Sequence, residues 1–223
     1  MSYVSKNKNL TKSLIKNKEI IITSAIIFLC LLLSFFFPSK NTAQAVTSNI
    51  FFLIIVPILY YKLILRKKIK TLGLGLNNRK KGIFWGILML IVNLIIFLLL
   101  YTFTNFKENY LLSPYIINSF WIFLIYELIL VNVFIFVQEF FWRGFVLLYF
   151  SKKIGYLAIF LQFIIYVLIL ILSKNSFWQS IPILVISLTS GIIVYKNKSI
   201  IYSWITALFS ILILDSFIIY HLR

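Results

Sequence analysis

Two side chains in the middle of this chain can do chemistry, and their surroundings are almost wholly apolar. Glu139 and Arg143 lie in the stretch Gln138-Glu139-Phe140-Phe141-Trp142-Arg143-Gly144, inside an apolar run from about Ile116 to Phe150. Either ion alone is expensive in a membrane interior, roughly 2.5–3.5 kcal/mol at a helix centre on insertion scales. Their i, i+4 spacing puts both on one helical face with the acid on the N-terminal side. A pair held within protein is tolerable where each ion alone in lipid is not. The bland role is an ion pair that locks one helix to its neighbours; the sharper one is a functional site, the default for ionisable groups in a membrane.

Composition says what must hold this pair. The chain has 223 residues, 62% of them hydrophobic, and a mean hydropathy of +1.02. A soluble domain is nearer half apolar. The reading is an all-α, polytopic integral membrane helical bundle in a single membrane domain, residues 1–223. The net charge of +17 comes from lysines flanking apolar segments, where they set topology and meet anionic lipid rather than nucleic acid. Cys30 is the one cysteine and His221 the one histidine, so an intrachain disulfide and a cysteine metal cluster are excluded. No cofactor is expected.

About seven transmembrane helices follow from the apolar runs. Residues 1–18, with Lys6, Lys8, Lys12, Lys16 and Lys18, read as a solvated basic cytoplasmic tail. The spans expected after it are Ile20–Phe37, Ile50–Leu65 kinked at Pro57, Gly82–Phe103, a long run from Tyr115 to Phe150, Tyr156–Leu172, Phe177–Tyr195 and Ser199–Tyr220. The long run exceeds one simple crossing: either one helix tilts and extends, or it breaks near the charged motif. Gly73 and Gly75 form a turn in a basic loop. Ala43-Gln44-Ala45 resembles a signal-peptidase site, but the preceding apolar core is longer than the usual ~7–15 residues, which favours a retained span.

With the N-terminus inside, the basic segments fall on the cytoplasmic side: the tail, Lys62 to Lys81, Lys152-Lys153, and Lys196 with Lys198. Only Lys40, Lys107, Lys174 and Arg223 fall outside. The lysine pattern gives a multi-pass chain with a cytoplasmic N-terminus, in contact with membrane lipid; the membrane expected for it is a bacterial cell membrane.

Depth brings further polar groups toward Glu139. At about 1.5 Å per residue, Glu139 lies roughly 18 Å in from Ser151, Arg143 and Thr206 about 12 Å from their cytoplasmic ends, Ser210 about 18 Å and Gln162 about 10 Å. One polar pocket near mid-membrane is the expectation, against interhelical glue as the simpler role for Gln162, Thr206 and Ser210. Glu127 and Asp215 lie nearer the outer side and read as interfacial, or as lining an outer vestibule. Tyr166, Trp142 and Trp204 read as packing or interface aromatics.

At this point the motif resembles a known family. Gln138-Glu139-x-x-x-Arg143-Gly144 is similar to the first motif, Glu-Glu-x-x-x-Arg, of the CAAX-protease and bacteriocin-processing (CPBP, or Abi) family of intramembrane endopeptidases. The resemblance extends over about 72–223, with Leu74-Gly75-Leu76 as lead-in and Gly191 through Ser210 as closing segment. It implies a helical bundle in which a glutamate activates water and histidines orient it or stabilise the oxyanion. Carried over residue by residue, the first Glu falls on Gln138, the second on Glu139 and the Arg on Arg143. The Phe-x-x-x-His motif falls near Tyr166 and Leu170, and the His-x-x-x-Asn motif on Thr206 and Ser210. Gln138, Leu170 and Ser210 therefore occupy catalytic positions without the chemistry, leaving Glu139, Arg143 and Thr206 as the site candidates.

Three functions are weighed on this basis. One is a catalytically impaired homologue that acts by binding in the membrane, as in bacteriocin self-immunity. Another is an active endopeptidase that processes a CAAX-type, pheromone or bacteriocin-precursor peptide through Glu139 and Thr206. The third is the membrane subunit of a peptide exporter. The corresponding partners are a peptide substrate, a bacteriocin or a transporter.

Overall fold

A computed structural model describes residues 2–110, 112–172 and 177–222, with side chains described between Lys18 and His221. Lys174 and Arg223 fall outside the described residues. All regular structure among the described residues is helical. The chain divides into two compact units, Met1–Tyr60 and Tyr61–Arg223.

In the first unit, α1 runs from Ser2 to Phe36. The basic tail is thus the first half of α1 rather than a separate segment, since no Pro or Gly interrupts it; its apolar part is Lys18–Phe36. Pro38 ends the helix, because its neighbours cannot continue the helical hydrogen bonds. Asn41 then caps α2 (Thr42–Ile64), its side chain accepting from the Gln44 amide at 2.8 Å. Pro57 sits in a short α segment between two π-helical turns, Phe51–Ile55 and Tyr60–Ile64. Proline has no N–H to give the helical ladder, and the ladder is irregular on both sides of it. Within this unit the Thr23 and Tyr60 hydroxyls meet at 2.8 Å, and Cys30 is buried.

The second unit contains α3 (Arg79–Phe103), α4 (Phe120–Ile154), α5 (Leu157–Leu172), α6 (Phe177–Asn197) and α7 (Ile200–Leu222). Helix α3 packs against α6 and α7, α6 against α7, and α4 and α5 complete the bundle. The sorting of side chains is that of a membrane protein. Gly82, Gly86, Met89, Asn93 and Phe97 of α3 recur every three or four residues and are buried, while Ile83, Phe84, Ile87 and Ile91 face outward. Small residues let backbones approach: a Cβ on Gly82 would lie 2.5 Å from Asn197 Nδ2 and 2.6 Å from the Tyr202 ring.

Six described helices are long and apolar enough to cross a membrane. The expected fifth crossing, α5, has 16 residues, which rise about 24 Å at 1.5 Å each, short of an ~30 Å hydrocarbon core. The long fourth run breaks on the side away from the charged motif. A short helix, Pro114–Asn118, ends at Ser119, whose side chain caps α4. From Phe120 the helix is continuous through the motif for 35 residues. It is π-helical at Tyr126–Val131 and Glu139–Leu147, the two places that hold its acidic residues.

Candidate functional site

Every residue of the π segment Glu139–Leu147 is buried. Glu139 and Arg143 are 1% and 3% exposed, and Glu139 Oε1 lies 3.4 Å from Arg143 Nε. Nε itself has no hydrogen bond, so this contact is electrostatic. The other carboxylate oxygen, Oε2, accepts from Ser203 on α7 at 2.5 Å, a donor shared with the Ile200 carbonyl at 2.9 Å. Hydrogen bonds to an ion are the strong ones, so this contact ties α4 to α7 at the motif.

Sequence reasoning missed Ser203, although the signal was present. Ser203, Thr206 and Ser210 follow the i, i+3, i+7 pattern of one helical face.

The single polar pocket expected from depth divides into separate contacts. Thr206 donates to the Gly86 carbonyl at 3.4 Å. Ser210 donates to the Thr206 carbonyl at 2.8 Å and accepts from Asn93 Nδ2 at 2.9 Å. Both thus turn toward α3, and Asn93 is a second member that the sequence did not flag. Gln162 is fully buried, but its amide donates to the Ser187 carbonyl of α6 at 3.3 Å. Side-chain hydrogen bonds across helices are the usual use of such residues in membranes.

The remaining motif positions are held by packing and local bonds. Gln138 accepts from the Trp142 indole at 2.8 Å. That indole meets Tyr166 edge to face, with centroids 5.2 Å apart. Leu170 is half-buried on α5. Trp204 donates to Asn132 at 2.9 Å and packs on Phe136. His221 lies at the far end of α7, its ring against Phe217 and Tyr101. Among the described residues, no group of three or more His, Cys, Asp or Glu could hold a metal.

The motif is also braced at the basic end of the bundle. The turn Ile69–Leu72 closes at Gly73, whose φ of 84° is left-handed, and the Gly73 carbonyl accepts from the Ile200 amide at 2.9 Å. Gly144 lets this turn approach, since a Cβ there would lie 2.8 Å from the Leu72 carbonyl oxygen. Nearby, burial, followed by the charges of Lys152 and Lys81, holds the Lys198 ammonium below the ordinary lysine value.

Residues 117–210 match the model of a family described as type II CAAX prenyl endopeptidase Rce1-like. That segment is similar to the Rce1-like family. It takes in α4, α5, α6 and α7 as far as Ser210, and so the whole Glu139–Arg143–Ser203 contact. The Rce1-like stretch is less than half of the chain and starts after the Leu74-Gly75-Leu76 lead-in. No curated protein and no solved structure matches. The chain is a multi-pass helical membrane protein with an Rce1-like segment at its polar centre.

Glu127 and Asp215 depart from the expectation of an interfacial position. They are 0% and 3% exposed, and they face each other from α4 and α7. A carboxyl group can be buried if a partner shares its proton.

Proposed function

We propose that this protein keeps the architecture of an intramembrane endopeptidase and acts by binding rather than by cleavage. The observation that supports this reading is the state of Glu139. Both of its oxygens are engaged, one by Arg143 and the other by Ser203, and its side chain is shut off from solvent. A general base needs a lone pair within reach of water. Gln138, Leu170, Thr206 and Ser210 supply neither a second carboxylate nor an imidazole at the positions where the family resemblance calls for them. Thr206 spends its one donor on the Gly86 carbonyl.

On this reading the helices present a surface for a peptide within the bilayer of a bacterial cell membrane, with the N-terminus on the cytoplasmic side. Self-immunity to a bacteriocin, by shielding its membrane target, is the role that fits best. The test is a cleavage and capture assay in proteoliposomes, with a prenylated CAAX-type peptide, a pheromone precursor and a bacteriocin precursor as probes. The expected result is capture of at least one peptide, with no cleavage above that of Glu139→Ala. Cleavage that disappears in Glu139→Ala, while the variant remains folded, overturns the proposal in favour of an active endopeptidase.

A further inference from the structure

A second buried polar centre lies outside the Glu139 site. Glu127 on α4 and Asp215 on α7 stand within hydrogen-bonding reach of each other. Tyr110 donates its phenolic hydrogen to Asp215 Oδ1 at 2.8 Å. Both Glu127 oxygens are fully buried, and neither accepts from a donor among the described residues. Among the described residues, the groups acting on the two carboxyls are each other and Tyr110, with Tyr126 alongside, and no cation is among them. Burial and the adjoining Asp215 push the Tyr110 phenol up, so Tyr110 stays a donor.

The chemistry leaves one economical solution. An ionised carboxylate only accepts hydrogen bonds, so two of them in contact have nothing to exchange. In a buried site, like charges so close do not both ionise, and one proton is shared. That proton gives Glu127 the hydrogen bond that the protein withholds. We infer that Glu127, Asp215 and Tyr110 form a proton-binding site, separate from the Glu139 centre, with one proton held between the two carboxyls.

A cavity lies one helical turn from the two carboxyls. Its volume is about 530 Å³, and it is lined by Ile116, Phe120, Phe123, Ser216, Ile219 and Tyr220. Phe123 precedes Glu127 by one turn of α4, and Ile219 follows Asp215 by one turn of α7. Phe120 and Tyr220 are exposed, so the cavity opens where α4 begins and α7 ends, the end opposite Lys152 and Lys198. The site joins the same two helices that Ser203 and Glu139 join. Loss of its proton replaces an α4–α7 hydrogen bond with repulsion between two carboxylates.

The test is infrared difference spectroscopy on the full chain in lipid nanodiscs, with hydrogen–deuterium exchange to identify the carboxyl C=O stretch. At neutral pH the wild type should show a protonated-carboxyl band that is lost in both Glu127→Gln and Asp215→Asn and kept in Glu139→Gln. A wild-type protein with no such band overturns the inference without any variant. So does a band that survives both substitutions. A second readout uses Glu127→Gln, whose amide donates to Asp215 in place of the proton. Wild-type unfolding midpoints should fall on alkaline titration, while those of Glu127→Gln should stay flat. Parallel titrations count against the site.

Discussion

Ser203 on α7 donates to Glu139 Oε2 on α4 at 2.5 Å, across 64 positions of sequence. With Arg143 on the other oxygen, the carboxylate is a junction between two helices. Removing its charge should cost more than removing its neighbour. Glu139→Gln leaves the Arg143 guanidinium buried without its counter-ion, a loss of about 3 kcal/mol or more. Gln138→Ala gives up one hydrogen bond from Trp142, about 1 kcal/mol. Unfolding titrations in mixed detergent micelles measure both, and equal, negligible losses would count against the pairing.

Gly144 is the narrow point between the motif and the turn Ile69–Leu72. An added methyl group meets a backbone carbonyl, which has no rotamer to escape into. Gly144→Ala should therefore destabilise by about 1–3 kcal/mol, the usual range for overpacking. Gly155→Ala is the converse case: its Cβ would meet only the Tyr195 hydroxyl, at 3.9 Å, but its φ of 61° is left-handed, so backbone strain acts there without crowding. Unfolding titrations in detergent micelles measure both variants, and an unchanged midpoint for Gly144→Ala would count against crowding there.

Lys198 is held below the ordinary lysine value by burial and by Lys152 and Lys81. Its folded state binds a proton less readily than its unfolded state, so stability should rise as pH climbs through the lowered value toward the ordinary one. Anionic lipid should act in the same direction by supplying countercharge. Melting temperatures in phosphatidylglycerol should exceed those in phosphatidylcholine. The difference should shrink in Lys198→Gln and in high salt. A lipid effect unchanged by either would show that these three lysines do not carry it.

The spans were legible because hydropathy and the lysine punctuation are local signals, read without knowing any neighbour. The Glu139–Arg143 pair was legible for the same reason, since its partners sit one turn apart. Contacts that need the tertiary arrangement were not. Depth alone grouped Gln162, Thr206 and Ser210 with Glu139, but depth carries no azimuth, and these side chains turn to α6 and α3 instead. Ser203 is marked in sequence only by sharing a face with Thr206 and Ser210, and nothing there pairs it with Glu139; Glu127 and Asp215 read as interfacial because each looks solitary in sequence. The break at Ser119 escaped notice because no proline or glycine marks it; Ser119 acts as a cap, a role its residue type permits but does not require.

The two π-helical turns of α4 have a mechanical meaning. Helices kink where such turns interrupt the regular ladder. A rod with two of them is jointed, and here the joints coincide with Glu127 and Glu139. A change of charge at either acid therefore acts at a turn whose hydrogen-bond ladder already departs from the regular helix.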